Sequence, residues 1–193
     1  PSLLQLFASL SVVYSLLYEL KTGRAKEIRT IIAQHPLRII GAKVAVYAVI
    51  YMCVLMAMLL TMFLFFDLPL RGNIIYVILG GIAFILFNSA TALVIAGCTG
   101  NLRLGLSACS AYAAPAFAYY GVTFPLEAMP FIARAWAEFL PGTHFNRILI
   151  NELMRTGARA SSLTDILIML IWAAVLFYIG GKLYALLARN EKY

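Results

Sequence analysis

The sequence predicts an all-α protein, a polytopic bundle of transmembrane helices. Of its 193 residues, 63% are hydrophobic and only 12% are charged, whereas a soluble domain carries about 25% charged residues. Long uncharged runs, each near the ~20 residues that cross a bilayer, recur along the chain. A soluble core of this size cannot bury so much apolar surface. This excludes a soluble enzyme, a nucleic-acid-binding domain and a disordered protein.

Five segments are predicted to span the membrane. The second and third contain no charged residue, and the fourth is shorter and contains Pro115. The fifth carries Lys182 near its end, where a long basic side chain can reach the lipid headgroups. The segments are residues 2–18, 44–66, 74–98, 106–122 and 166–187 of a single transmembrane domain, 1–193.

Lysine and arginine are concentrated on one side of this five-span arrangement. Residues 19–43, the link around Arg103 and the C-terminal tail hold ten Lys and Arg against three Asp and Glu. The other side holds five of each. Because cytoplasmic loops are rich in Lys and Arg, we expect a multi-pass protein of the cell inner (plasma) membrane with a cytoplasmic C-terminus. Pro1 then lies outside, directly at a span, so we expect an upstream segment.

The long cytoplasmic loop contains a predicted amphipathic helix at residues 22–34. Thr22 can cap its start, and Pro36 disfavours helix at His35. Its apolar residues recur at helical spacing and its other face is basic. Taken alone, this periodicity favours a helix lying among anionic headgroups over a docking surface for a cytoplasmic protein.

Two further amphipathic helices are predicted on the outer side, at residues 124–139 and 143–156. Neither is long enough to cross a bilayer. We expect re-entrant elements that line a cavity or cap an exit. An interfacial belt anchored by Trp136 is the alternative.

The sequence contains no motif for catalysis, metal binding or cofactor binding. The stretch from Gly100 to Ser107 has the glycine spacing of a phosphate-binding loop but lacks its lysine. The spans at 44–66, 74–98 and 106–122 also lack the ionisable groups expected of an ion-coupled transporter. Their polar groups are expected mainly to join helices, and Asn88, Thr91 and Tyr119 are the candidates for lining a pathway.

Three blocks, in order along the chain, carry a family resemblance. They are residues 19–43, with a Thr-Gly pair and a Gly-x-Lys; residues 121–130, GVTFPLEAMP; and residues 140–147, LPGTHFNR, followed by MRTG at 154–157. Together they resemble the membrane (permease) subunit of type 2 ATP-binding-cassette exporters, in the branch of bacterial multidrug-type permeases. The chain departs from the family's pattern at the Thr-Gly order and at Leu140.

The resemblance implies a six-helix half-transporter whose first helix, often followed by an extracytoplasmic insert, precedes Pro1. It also implies that the helix at 22–34 is the coupling helix that docks on the ATPase subunit, which reverses the preference for a lipid-surface helix. The implied coupling residues are Gly23, Arg24, Glu27 and Arg29.

The resemblance places re-entrant helices near the outer mouth of the pathway. The implied outer-gate residues are Phe124, Pro125, Met129, Pro130 and Trp136.

The resulting prediction is a transport subunit without catalysis of its own. Two copies, or this chain and a related permease, would form the pathway in contact with membrane lipid, and a separate cytoplasmic ATPase would hold ATP and Mg. No nucleic acid is expected as a partner. Two alternatives stay open: a non-transporting scaffold or sensor that uses the basic helix on lipid, and a polysaccharide or lipid exporter instead of a drug exporter.

Overall fold

The computed structural model describes residues 2–21, 36–66, 72–120, 129–154 and 159–190. In these ranges the chain forms helices and no strand, which confirms the predicted all-α bundle. The helices are α1 (Ser2–Lys21), α2 (Pro36–Phe66), α3 (Ile74–Thr99), α4 (Leu102–Ala113), α5 (Ala116–Tyr119), α6 (Phe131–Phe139), α7 (Pro141–Leu153) and α8 (Arg159–Asn190).

Among the described helices, α1, α2, α3 and α8 are long and apolar enough to cross a membrane. They contain the predicted segments 2–18, 44–66, 74–98 and 166–187. α2 begins at Pro36, eight residues before the predicted start; proline is favoured at a first helical position because its missing N–H has no partner there. The predicted coupling helix, with Gly23, Arg24, Glu27 and Arg29, lies outside the described residues, as do Phe124 and Pro125.

α3 is the central helix of the bundle. Two thirds of it (67%) is buried, against 11% of the spanning part of α2. Asn73 caps its start by accepting a hydrogen bond from the Ile75 N–H, and Gly100 ends it with a φ of 59°, in the left-handed region that favours glycine. α8 approaches α3 closely at Gly180, where a Cβ would lie 2.8 Å from the backbone nitrogen of Val94. Small residues permit such approach between apolar helices.

α1 and α4 pack along the C-terminal half of α3. Val13 and Leu17 of α1 share a buried cluster with Ala96 of α3. α4 runs back along α1, since a Cβ at Gly105 would contact both Val13 and Leu17. The Tyr120 hydroxyl, just after α5, donates a hydrogen bond to the Gln5 side chain near the start of α1.

The segment predicted as a span at 106–122 is not one continuous helix. α4 ends at Ala113, and the chain resumes as the four-residue α5 after Pro115. Proline has no N–H to donate to the carbonyl four residues back, and its ring crowds that carbonyl, so a helix breaks there. In the described residues this segment runs antiparallel to α1 but is absent from the four candidate spans.

Candidate functional site

The pair α6 and α7 forms a helical hairpin that reaches the middle of α3. At its turn, the Phe139 ring lies 6.3 Å from that of Phe87, at the midpoint of α3. Phe145 stacks on Phe84 with 5.0 Å between ring centroids. At the far end of α7, Glu152 contacts the chain just before α3. α7 therefore runs antiparallel to α3 for about 20 Å, the length of its 13 residues.

The turn of the hairpin depends on a short sequence, Leu140-Pro141-Gly142. Leu140 is extended and fully buried, and Pro141 starts α7, where its fixed φ suits a first helical position. Gly142 lies directly against the ring of Tyr120, which leaves no room for a side chain. The turn thereby locks onto the end of the α4–α5 segment.

A buried histidine–aspartate pair joins the hairpin to α8. The His144 Nδ1 lies 2.7 Å from Oδ1 of Asp165, and its Nε2 lies 2.9 Å from the backbone oxygen of Glu138. The side chains of both residues are buried. A carbonyl only accepts hydrogen bonds, and a neutral imidazole donates one. The Nε2–H of His144 therefore donates to the Glu138 carbonyl. The Nδ1 contact is then a hydrogen bond only if a proton lies between Nδ1 and the Asp165 carboxylate, carried by one or the other.

Arg147 extends this pair into a cluster of four side chains. Its guanidinium makes a two-pronged contact with the Glu138 carboxylate, with Nη1 to Oε2 at 3.0 Å, and Nη1 lies 3.9 Å from Oδ1 of Asp165. The Arg147 guanidinium therefore faces two carboxylates, of Glu138 and Asp165, and balances the negative charge of one of them. Opposite charges that are paired and hydrogen-bonded offset much of the cost of burial.

Replacing Glu138 with glutamine tests the exposed side of this cluster. The hydrogen bond from Arg147 lowers the pKa of the Glu138 carboxyl below its usual 4.5, although partial burial opposes this. A lowered pKa means that the ion pair stabilises the fold above that pH and that its contribution is lost as the pH falls through the folded-state pKa. Because both side chains are partly exposed, we expect only about 1 kcal/mol at neutral pH.

The measurement is the midpoint of thermal unfolding of wild type and Glu138→Gln in detergent, from neutral pH to below 4.5. The difference between the two proteins should shrink on acidification. A difference independent of pH would show that the ion pair does not stabilise the fold.

A second contact fixes the far end of α7. The Glu152 carboxylate accepts hydrogen bonds from the Asn73 N–H at 2.8 Å and from the Ser162 hydroxyl at 2.7 Å. Its backbone oxygen accepts one from the Gly72 N–H at 2.7 Å. Gly72 lies so close to Glu152 that any side chain there would collide with it. Both ends of α7 are therefore held by polar contacts.

Aromatic rings surround the turn. Phe139 lies edge-on to Trp172 of α8, with 5.5 Å between centroids, and 6.1 Å from the Trp136 ring. Trp136 is 41% exposed, and Phe131 and Ile132 at the start of α6 are almost fully exposed. Ala137 is the only buried residue of α6, so α6 is packed against the bundle mainly near its C-terminal end, and Phe131 and Ile132 at its start are uncovered within the described chain.

Comparison with known proteins decides the family. A family model described as ABC-2 family transporter protein matches residues 1–182. The chain belongs to the ABC-2 family of transporter proteins. No curated protein and no solved structure matches it. Membership makes the chain a multi-pass membrane transport subunit without catalysis of its own, and it implies pairing with a cytoplasmic ATPase of the ATP-binding-cassette class.

The site residues that were predicted from the sequence and are described in the structure fall in two regions, the start and end of α6 and the helices α3 and α5. Met129 and Pro130 immediately precede α6, where the Pro130 carbonyl accepts a hydrogen bond from the Arg134 N–H. Trp136 lies in the aromatic group at the turn. The three residues predicted for the outer gate that are described thus lie on one short stretch of chain, from Met129 to Trp136, at and just before α6.

Of the residues predicted to line a pathway, Asn88 and Thr91 lie inside the described bundle and Tyr119 lies at its edge. Asn88 and Thr91 are buried on α3, where their side chains donate hydrogen bonds to the carbonyls of Phe84 and Phe87 in the same helix. Tyr119 is half-buried at the end of α5. A pathway role for these three residues stays a prediction.

Sequence reasoning missed the polar cluster that anchors the hairpin. Glu138 and Arg147 are nine residues apart and Asp165 follows 21 residues after His144, so no local motif marks them. One signal was present: four ionisable residues lie within or beside apolar runs, where such groups are costly and are retained for a purpose.

Proposed function

We propose that this ABC-2 chain is the permease subunit of an ATP-driven exporter and that the α6–α7 hairpin is the closed outer gate of its pathway. The observation that carries the proposal is the depth of the hairpin: its turn lies beside Phe87, halfway along the most buried helix. Helices of nine and 13 residues cannot span a bilayer.

The physical environment supports a re-entrant position for the hairpin. Non-spanning backbone at membrane depth is tolerated only where protein or a water-filled cavity surrounds it. α7 meets this condition, because Phe145 and Ile148 are completely buried against α3. Within the cluster, His144 and Asp165 are buried, where an unpaired charge is costly, and their mutual contact keeps them paired. In this proposal the cluster is the latch of the gate, meaning the set of contacts that holds the hairpin closed against α8.

The energy for export would come from an ATPase docked on residues 22–34. Two copies of the chain, or this chain and a related permease, would enclose the pathway, with ATP and Mg on the ATPase. The charge distribution supports a cytoplasmic position for this segment and for the C-terminus, in the inner membrane. The resemblance to the multidrug branch and the apolar helices favour a hydrophobic cargo over a polysaccharide.

Replacing both Arg24 and Glu27 with alanine tests the coupling. In proteoliposomes that hold the permease and its co-purified ATPase, we expect ATP-driven export of a hydrophobic cationic dye to fall at least about tenfold, which corresponds to about 1.4 kcal/mol of lost coupling. The permease should keep its thermal stability, because the segment is predicted to lie outside the membrane. Arg103→Ala is the matched control, since Arg103 is an exposed basic residue on the same predicted side.

Unchanged export in the double variant would remove residues 22–34 from the coupling role. Recovery of the wild-type chain without any ATPase, together with binding of the 19–43 peptide to anionic vesicles, would favour a scaffold or sensor.

A further inference from the structure

An apolar groove opens on the outside of the bundle between α2 and α8. It has a volume of about 400 Å³ and its floor is Leu86 of α3. Small residues form its walls, including Gly41 and Ala45 on α2 and Ala174 on α8. If Gly41 carried a Cβ, the nearest atom to it would be in the Phe177 ring of α8, 4.0 Å away. α2 and α8 are thus separated here and not interlocked.

A second hollow of about 250 Å³ continues the groove along α2. It is lined by Ala48 and Met52 of α2 and by Ile82 of α3, and it shares Leu86 with the first. From Gly41 to Met52 the groove follows α2 for about 16 Å, at about 1.5 Å per residue. Half of a hydrocarbon core of ~30 Å is about 15 Å. The groove is therefore as long as an acyl chain in one leaflet.

A positive charge lies at one end of the groove. Arg38 lies on the same face of α2 as the groove residues Gly41, Ala45, Ala48 and Met52, at alternating spacings of three and four residues. Its side chain is exposed and forms no salt bridge to any described carboxylate.

Arg38 differs in this respect from the next basic residue of α2. Lys43 faces the other way and pairs with Glu19 of α1. Arg38 is also the first residue of the candidate span of α2, and a basic residue at the end of a span is expected to reach the lipid headgroups. Its guanidinium fork matches the geometry of a phosphate.

We propose that the groove binds an anionic glycerophospholipid, with one acyl chain between α2 and α8 and the phosphate group on Arg38. The apolar walls accept the acyl chain of any phospholipid. A basic residue at the membrane surface favours an anionic lipid by about 1 kcal/mol, which is about fivefold in binding. No residue of the α6–α7 hairpin lines the groove, and the lipid site does not depend on the proposed gate.

Native mass spectrometry of the full purified chain tests the proposal. Phosphatidylglycerol and phosphatidylcholine with identical acyl chains are added in equal amounts, and the retained lipid is counted. We expect about fivefold more phosphatidylglycerol on the wild type and equal retention of both lipids on Arg38→Gln. Lys182→Gln is the matched control, because Lys182 is also exposed but lies over the Tyr178 ring and outside the groove. It should keep the preference.

A second experiment fills the groove with a larger side chain and tests whether the acyl chain binds there. Ala45→Phe should lower retention of both lipids, whereas Val46→Phe, on an exposed position outside the groove, should not. Ala174→Phe fills the groove from α8 and replaces Ala45→Phe if that variant does not fold. An undiminished preference in Arg38→Gln, or full retention in a filled groove, would overturn the proposal. A third outcome would also overturn it: the wild type retains no lipid and is a dimer, and Ala45→Phe dissociates that dimer. A second copy of the chain would then cover the groove.

Discussion

Replacing Asp165 with alanine is expected to release the α6–α7 hairpin from α8. The side chain of His144 would lose its 2.7 Å contact, leaving a buried imidazole nitrogen without a described partner. Breaking one member of a buried, charge-assisted pair costs about 3 kcal/mol. We expect a lower midpoint of thermal unfolding, faster amide hydrogen exchange in residues 131–154, and leakage of a trapped dye without ATP.

Asp165→Asn is the control that separates hydrogen bonding from charge. The asparagine amide can donate to Nδ1 of a neutral His144, whose Nε2 still donates to the Glu138 carbonyl. The loss should then be about 1 kcal/mol, and hydrogen exchange in the hairpin should stay near the wild-type rate. If both variants leave the hairpin and the leak unchanged, the cluster is not a latch.

Replacing Gly180 with valine is expected to disrupt the packing of α8 on α3. A Cβ at this position already lies 2.8 Å from the nitrogen of Val94 and 3.1 Å from the carbonyl carbon of Leu93. These are backbone atoms of the central helix, so they cannot move aside as a side chain could. Overpacking of this kind costs about 3 kcal/mol. The yield of folded protein and its thermal midpoint should both fall.

Gly41→Ala is the matched control for this helix–helix contact. A Cβ at Gly41 meets only the Phe177 ring at 4.0 Å, an ordinary contact distance. Alanine is also favoured over glycine in a helix by about 1 kcal/mol. Gly41→Ala should therefore be neutral or slightly stabilising. A Gly180→Val protein as stable as Gly41→Ala would contradict the close approach of α3 and α8.

The long helices could be predicted because apolar run length is a property of the sequence alone. The run at 74–98 gave α3 to within one residue, with Asn73 and Gly100 at the ends as caps. The run at 106–122 is apolar enough to be predicted as a span, but in the structure the helix ends at Ala113 and resumes only after Pro115, so the described segment is not one long helix. Hydropathy alone cannot tell one spanning helix from a broken segment.

The polar cluster could not be predicted because tertiary packing assembles it. His144 stands alone in the sequence, and its partner Asp165 lies on another helix. Only the turn at Leu140-Pro141 brings Glu138 back beside His144 and Arg147. Asn88 is a different case: its polarity predicts a pathway position, and in the structure its amide nitrogen donates to the Phe84 carbonyl of its own helix, while its buried Oδ1 has no hydrogen-bond partner among the described residues.

The most direct test of the central claim is to lock the hairpin closed. In a variant without Cys53, Cys98 and Cys109, cysteines replace Phe139 and Trp172, whose rings lie 5.5 Å apart. They are joined by a cleavable bifunctional thiol reagent in proteoliposomes that contain the permease and its ATPase. The proposed gate predicts that ATP-driven export of the dye stops on cross-linking and returns on reduction. Export that continues at the uncross-linked rate would contradict it.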